Sequence, residues 1–188
     1  SSEVSVKEMV GAFSIYANKG VYNAPMMVTK IEDKYGNVLA NFYPESREVI
    51  TENTAFLMAN LLQGVVDEGT GRRLRFRYGF KNQIGGKTGT TQNHSDGWFI
   101  GITPDLAGGV WVGAEDRSIH FQNLANGQGA SMALPIWALF MQKVYADKSL
   151  AVPQSDFQKP NGVNHVLDCG DADREGMTDY DSSDEIFD

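Results

Sequence analysis

Two consecutive apolar segments, SDGWFIGIT at residues 95–103 and GGVWVGA at residues 108–114, place the strongest limits on the fold of this chain. In the first segment, Trp98 and Ile100 occupy one set of alternate positions and Phe99 occupies the other. A strand that is apolar on both faces is usually covered on both faces. The short connection between the segments begins with proline, which favours a tight turn. We therefore expect two adjacent antiparallel strands inside a layered fold.

Three segments have helical periodicity, and the last two of them can cover the two faces of these strands. They span residues 5–19, 51–68 and 133–148. Ser5 and Glu8 match a capping box at the start of the first helix, and Thr51 is a suitable N-cap for the second. A hairpin is predicted around the turn at residues 35–37, because apolar residues flank it on both sides. The expected fold class is therefore α+β, an antiparallel sheet with helices on both faces.

Charge divides the chain into two parts. Residues 151–188 contain 10 acidic and 2 basic side chains, so this segment carries the whole net charge of −8. It also lacks hydrophobic periodicity and is rich in Asp, Ser and Gly, which is typical of an extended or disordered segment. We therefore expect residues 1–150 to form one domain and residues 151–188 to form an acidic tail.

Composition argues against several classes of function. No apolar run approaches the roughly 18 residues of a membrane span. The single cysteine, Cys169, and three scattered histidines form neither a CxxC nor an HxxxH pair, so no metal and no other cofactor is expected. Residues 72–77 contain four arginines, but residues 1–150 are net neutral. A solvated strand face is therefore favoured over nucleic-acid binding for this basic run.

One histidine and three tryptophans could contact substrate or stack on sugars, but each has a simpler interpretation. His94 is expected to be an exposed loop residue. The three tryptophans are expected to belong to the core because they fall at strand and helix spacing, and they are Trp98, Trp111 and Trp137.

The segment GGKTGTTQNHSDGWF at residues 85–99 contains the chemically most informative residues. A phosphate loop, GxxxxGK[ST], would require a glycine at position 81, where the chain has Lys81. It would also require a helix after the Lys-Thr pair, whereas a polar turn and a strand follow. A second interpretation is that the glycines only loosen a strand near a turn. The third is a serine acyl-transferase, in which a Lys-Thr-Gly triplet lies on an edge strand that faces the nucleophile.

The residue types suit acyl transfer. The ammonium group of Lys87 places positive charge beside the reacting groups, and the hydroxyl of Thr88 can donate to a substrate carboxylate. Gly89 has no side chain, so a substrate backbone can lie against the strand. The backbone N–H of Thr90 can point at a developing oxyanion. The candidate catalytic residues are Lys87, Thr88, Gly89 and Thr90, and the candidate substrate-binding residues are Lys87, Thr88, Thr90 and Thr91.

The chain resembles the C-terminal half of the transpeptidase domain of class A penicillin-binding proteins, bifunctional enzymes that polymerise and cross-link peptidoglycan. The third active-site box of that family, Lys-Thr-Gly-Thr-Thr, is present at residues 87–91, and the Asp-x-Trp-Phe strand that follows it is present at residues 96–99. The Gly-Thr-Gly-Arg stretch at residues 69–72 matches the usual end of the preceding helix. Residues 1–25 resemble the segment that follows the second box. The resemblance covers residues 1–145 and excludes the acidic tail.

The resemblance implies a D,D-transpeptidase. In that family a serine attacks the D-Ala-D-Ala bond of a stem peptide, an amine from a neighbouring strand resolves the acyl-enzyme, and β-lactams acylate the same serine. Lys87 would contact the serine of the second box, Thr88 and Thr90 would bind the terminal carboxylate, and the Thr90 N–H would complete an oxyanion hole. The resemblance also implies a β-lactamase-like fold of which this chain is an incomplete half, and a periplasmic or other extracytoplasmic address. Membrane attachment would come only through an upstream anchor, and no nucleic acid is expected as a partner.

Two boxes of the family are missing from this chain. None of its serines is followed three residues later by lysine, as the first box S-x-x-K requires, and the second box, S-x-N, is also absent. In the family both boxes precede the segment that this chain matches. We therefore expect the nucleophile to lie on an upstream part of the same protein, and this chain to be inactive alone.

Other classes share part of this pattern. A serine β-lactamase or a D-Ala-D-Ala carboxypeptidase uses the same Lys-Thr-Gly box, and a non-catalytic module of the same fold would also lack the nucleophile. The Thr-Thr continuation, the Asp-x-Trp-Phe strand and the Gly-Thr-Gly-Arg helix end favour a transpeptidase over the first two. The presence or absence of S-x-x-K and S-x-N boxes upstream would discriminate an enzyme from a degenerate module.

Overall fold

The computed structural model describes residues 3–163, and residues 1–2 and 164–188 lie outside the described part. The elements, in chain order, are α1 (Val6–Ala17), β1 (Val21–Asn23), β2 (Lys30–Glu32), β3 (Val38–Asn41), β4 (Ser46–Glu48), α2 (Glu52–Asp67), α3 (Arg73–Phe76), β5 (Gly85–Thr90), β6 (Asp96–Ile102), β7 (Ala107–Gly113), α4 (Leu124–Gly127), α5 (Gly129–Met132) and α6 (Leu134–Ala146). Most of the expected acidic tail therefore falls outside the described residues.

The two apolar segments form adjacent antiparallel strands, as predicted, and a third strand joins them. The sheet order is β5-β6-β7, with both pairs antiparallel. The register places Phe99 between Thr88 of β5 and Val110 of β7. Thr103 closes the turn between β6 and β7, because its hydroxyl accepts a hydrogen bond from the Leu106 N–H at 3.0 Å.

Helices cover both faces of this sheet. On one face α1 packs against β7 and α2 packs against β5, while α5 and α6 pack on the other face. Alternate residues of β6 contact the two layers. Ile100 and Val10 of α1 both lie close to the position that a Cβ atom of Gly109 would occupy, and the Phe99 ring contacts Trp137 of α6. The predicted α+β class with helices on both faces is confirmed. The main buried cluster comprises Val66, Leu74, Phe80, Ile84, Phe99, Ala133, Leu134, Trp137, Ala138 and Met141.

The predicted caps begin the first two long helices. The Ser5 hydroxyl accepts a hydrogen bond from the Glu8 N–H at 3.2 Å, and the Glu8 carboxylate accepts one from the Ser5 N–H at 2.8 Å. Two hydrogen bonds to the Glu8 carboxylate, from the Ser5 N–H and from the Ser5 hydroxyl, hold the pKa of Glu8 below its ordinary value, with the backbone bond as the largest cause. The Thr51 hydroxyl accepts from the Thr54 N–H at 3.2 Å. Each cap satisfies an N–H group that has no partner within its helix.

The predicted hairpin is present as the antiparallel pair β2–β3. At its turn, the Asp33 carboxylate accepts hydrogen bonds from the backbone N–H groups of Tyr35 and Asn37 at 2.8 and 2.9 Å. Hydrogen bonds to the Asp33 carboxylate lower its pKa. The bond from the Asn37 side chain is the largest cause, and bonds from backbone N–H groups add to it. A second small antiparallel pair, β1–β4, links this hairpin to the helical body.

The arginine-rich run forms a short helix, α3, and the prediction of a strand there was wrong. The Arg75 guanidinium donates to the Asp67 carboxylate and to the Asn82 carbonyl, both at 2.7 Å. Arg73 donates to the Ala130 carbonyl at 3.0 Å. A guanidinium has five N–H donors, so one such group can join several chain segments. Two of the four arginines therefore link segments of the fold and do not form an open basic surface.

The tryptophans differ in their environment. Trp137 is 2% exposed and lies in the core, as predicted, whereas Trp111 of β7 is 40% exposed. Trp111 belongs to an edge strand of the described sheet, where less of the molecule covers it. The prediction that all three tryptophans are core residues was therefore wrong for Trp111, and Trp98 is half-buried and lies outside the main buried cluster.

Residues 151–163 contain no helix or strand but run along the body of the protein. The Ser155 backbone and hydroxyl both bond to the Asp105 carboxylate at 3.0 Å, and the Phe157 N–H donates to the Gln83 side chain at 2.8 Å. These bonds hold the segment against the β6–β7 turn and the loop before β5. Within residues 3–163, no helix is both long enough and apolar enough to cross a membrane.

Candidate active site

The Lys-Thr-Gly residues lie on β5, an edge strand of the described sheet. β5 pairs with β6 on one side, and within residues 3–163 no strand pairs with its other side. An unpaired strand edge presents backbone N–H and C=O groups that can pair with an added extended peptide. The site residues therefore border an edge that can receive a peptide.

The alternation of β5 separates the site side chains. Thr88 and Thr90 share the face that carries α5, because the Gly129 N–H at the start of α5 donates to the Thr90 hydroxyl at 3.0 Å. Lys87 and Gly89 point to the opposite face of the sheet. The four residues that the sequence presents as one motif thus meet only along the strand edge.

The Lys87 side chain is exposed and curls over that edge. Its Nζ donates to the Thr88 carbonyl oxygen at 2.6 Å. Within the described residues no carboxylate lies at ion-pair distance from it. Its positive charge is therefore available to an anionic ligand at the edge.

The backbone N–H of Thr90 is directed away from β6. The Thr91 N–H donates to the Asp96 carbonyl at 3.2 Å, so it points toward β6. Because successive residues of an antiparallel strand point their N–H groups in opposite directions, the Thr90 N–H points to the free edge. A donor in this position can stabilise negative charge that develops on a carbonyl oxygen bound there.

Gly129 holds the end of β5 through close backbone contact. A Cβ atom at position 129 would overlap the carbonyl oxygens of Gly89 and Trp98. The absence of a side chain lets the Gly129 N–H approach the Thr90 hydroxyl. This contact ties the end of the site strand to α5.

Replacing Gly129 with alanine should lower the free energy of unfolding by about 1–3 kcal/mol, the usual cost of overpacking. The matched control is Gly64→Ala in α2, where nothing lies within 4 Å of an added Cβ. That change should raise stability by about 0.5–1 kcal/mol, because alanine is the better helix former. Urea unfolding of both variants checks this, and equal effects of the two substitutions would contradict the close packing at Gly129.

The Thr91 hydroxyl is engaged in its own turn. It accepts a hydrogen bond from the Asp96 N–H at 3.1 Å and lies 3.0 Å from the Ser95 hydroxyl. The structure thus places Thr91 in the network that closes the loop between β5 and β6. Its candidate substrate-binding role remains a sequence-based prediction.

That loop contains two consecutive left-handed residues. Asn93 has φ 59° and His94 has φ 56°, a conformation that side-chain-bearing residues adopt uncommonly. His94 is half-buried against Gly127, and its Nδ1 is buried with no hydrogen-bond partner among the described residues. The expectation of an exposed loop histidine was therefore wrong.

Sequence reasoning missed two residues at this site, Thr70 and Gly129. The Thr70 hydroxyl lies 2.8 Å from the Thr88 hydroxyl, although 18 residues separate them. Gly129 is 39 residues from Thr90. The Gly-Thr-Gly-Arg pattern marked the Thr70 region but did not indicate which element it would face, and no local pattern marked Gly129.

Comparison with known proteins matches this arrangement to one family. Residues 1–130 match the penicillin binding protein transpeptidase domain. Penicillin-binding protein 1A of Aquifex aeolicus is 34% identical over 158 residues, which are 84% of this chain and 20% of that protein. The chain therefore belongs to the penicillin-binding protein transpeptidase family. It spans about a fifth of the length of the curated relatives it matches.

Solved structures show the same fold. The crystal structure of penicillin-binding protein 1A from Haemophilus influenzae matches with a TM-score of 0.74 at 23% identity, over 84% of this chain and 28% of that chain. Penicillin-binding protein A from M. tuberculosis, described as an imipenem acyl-enzyme complex, matches with a TM-score of 0.56 at 20% identity. The match covers 74% of this chain and 31% of that chain. The β-lactamase/transpeptidase-like class and the partial coverage of the domain are thus confirmed.

Proposed function

We propose that this chain is the substrate-binding part of a D,D-transpeptidase that cross-links peptidoglycan stem peptides through a serine acyl-enzyme. The observation that carries the proposal is the free edge of β5. Three chemically distinct groups meet there: the Lys87 ammonium, the Thr88 hydroxyl and the Thr90 N–H. The family membership and the acyl-enzyme reported for a structural relative support this assignment.

The edge geometry suggests how a stem peptide is held. The peptide adds to β5 as an extended strand, and Gly89 leaves its backbone room to approach. The Thr88 hydroxyl and the Lys87 ammonium bind the terminal carboxylate of D-Ala-D-Ala. The Thr90 N–H then points at the scissile carbonyl oxygen, where negative charge develops during attack.

The nucleophile has to come from another part of the protein. No serine in the 188 residues has lysine three positions later, so none of them matches the expected S-x-x-K box. We infer that a serine elsewhere in the longer polypeptide attacks the carbonyl, expels the terminal D-Ala and forms the acyl-enzyme. An amine of a second stem peptide then attacks the ester and releases the serine. The substrate lies outside the cytoplasmic membrane, so the proposed location is extracytoplasmic.

Labelling with a fluorescent penicillin tests this function. The 188-residue chain should take up no covalent label, whereas the longer polypeptide with an S-x-x-K serine should be labelled and keep its label. Labelling of the chain alone would contradict the inference that its nucleophile lies elsewhere. A longer polypeptide that takes up no label would contradict the transpeptidase function, and rapid turnover of the adduct would indicate a β-lactamase.

A further inference from the structure

Thr70 belongs to the loop after α2, and its hydroxyl oxygen lies 2.8 Å from that of Thr88. We propose that Thr70 is a positioning residue, which orients the Thr88 hydroxyl toward the carboxylate of the substrate. The inference rests on the proposed carboxylate-binding role of Thr88. It extends the site from the β5 strand to the loop that ends α2.

The two glycines that flank Thr70 fix the conformation of this loop. The Gly69 N–H donates to the Gly64 carbonyl at 3.1 Å, and the Gly71 N–H donates to the Val65 carbonyl at 2.8 Å, so both groups close the end of α2. A Cβ atom at position 69 would lie 2.9 Å from the Val65 backbone, and one at position 71 would lie 3.1 Å from its carbonyl oxygen. Both glycine positions leave little room for a side chain. Thr70, between them, is therefore held against the edge of β5.

The number of donors and acceptors on each group determines the direction of the hydrogen bond between Thr70 and Thr88. A hydroxyl group has one hydrogen to donate and two lone pairs that accept, whereas an ionised carboxylate only accepts. When the Thr88 hydroxyl donates its single hydrogen to a carboxylate, its contact with Thr70 requires that Thr70 is the donor. The order of donation is then Thr70 to Thr88 to carboxylate, and each bond in such a chain polarises the next.

Loss of the Thr70 hydroxyl would leave the Thr88 hydroxyl free to rotate. Its hydrogen could then point to water or to a backbone acceptor, and part of the binding free energy would be spent on reorienting it. The expected effect is that of one hydrogen bond, about a 3- to 10-fold loss. The loss should occur only for ligands that present a carboxylate.

The experiment measures acylation rates of the longer polypeptide with a penicillin and with its methyl ester, which lacks the negative charge. Thr70→Val should slow acylation by the free acid about 3- to 10-fold and leave acylation by the ester unchanged. Thr70→Ser, which keeps the hydroxyl, should restore the rate. Because Thr70 is proposed to act only through Thr88, a Thr70→Val/Thr88→Val double variant should be no slower than Thr88→Val alone.

Two controls separate positioning from structural damage. Thr29→Val changes another exposed threonine, in the segment before β2, and should leave both rates unchanged. Thermal unfolding of the 188-residue chain should be the same with and without Thr70→Val, since Thr70 is exposed.

Several results would overturn the positioning role. The first is an unchanged rate of acylation by the free acid in Thr70→Val. The second is an equally large loss of rate with the methyl ester. The third is a double variant that is slower than Thr88→Val by the same factor that Thr70→Val costs in the wild type. In each of these cases, covalent labelling of the longer polypeptide by penicillin would still support the transpeptidase function. A parent polypeptide that is not acylated at all would overturn both.

Discussion

Replacing Trp137 with alanine should lower the free energy of unfolding by about 3–5 kcal/mol, the range for a large aromatic side chain removed from a core. Trp137 is 2% exposed, and its ring lies edge-on to Phe99 with the centroids 5.3 Å apart. The glycines at 101 and 108 leave space for it, since a Cβ atom at position 101 would come within 2.5 Å of the ring. These two glycines have no side chain that could move into the cavity left by the ring.

Native proteins are stable by only about 5–15 kcal/mol, so the Trp137→Ala change removes a large share of the total. Urea unfolding monitored by circular dichroism checks the prediction. Phe140→Ala is the matched control, because Phe140 is on the same helix, α6, but is 60% exposed. Its effect should stay within about 1 kcal/mol. Similar losses for the two variants would show that Trp137 does not centre the core.

Replacing Lys87 with alanine should reduce the rate of penicillin acylation in the longer polypeptide by about 10²- to 10³-fold, the cost of losing one preorganised charge-stabilising group. Lys87 is exposed at the free edge of β5, where its ammonium bonds to the Thr88 carbonyl. Removing it takes away a positive charge at the edge where the substrate carboxylate is proposed to bind. Folding should be unaffected, because the side chain contributes nothing to the core.

Two further lysine variants give this prediction its controls. Lys81→Ala removes an exposed lysine before β5 and should leave acylation unchanged. Lys87→Arg keeps the charge but replaces a compact ammonium by a planar guanidinium, so its rate should lie between wild type and Lys87→Ala. Stopped-flow measurement of acylation provides the rates. A Lys87→Ala variant as fast as Lys81→Ala would contradict a role for this lysine.

The elements that the sequence predicted well have strong local signals. The helix starts at Ser5 and Thr51 follow from side chains that cap their own helix, and both caps are present. The β6–β7 pair follows from two apolar runs joined by a short turn, and its register is regular throughout. In each of these cases the interacting residues are close in sequence, so a pattern in the chain is sufficient to reveal them.

The arginine-rich run shows where local patterns are ambiguous. Arginines alternating with Leu74 and Phe76 fit the two-residue period of a strand. The same short segment forms α3, with Leu74 fully buried and Phe76 70% exposed. Over four residues a helix and a strand are hard to distinguish by periodicity. Contacts with the end of α2 and with the loop before β5 stabilise the helical alternative.

The sequence by itself determined the layered α+β class, the helix caps and the residue types of the acyl-transfer box, because alternation and capping depend on neighbouring residues. Only the tertiary structure decided which groups meet at the edge of β5. It placed Lys87 on one face and the threonines on the other, and it brought Thr70 and Gly129 to the strand from 18 and 39 residues away. Such contacts depend on how helices pack on a sheet, and no local pattern in the chain encodes the partner of a given hydroxyl.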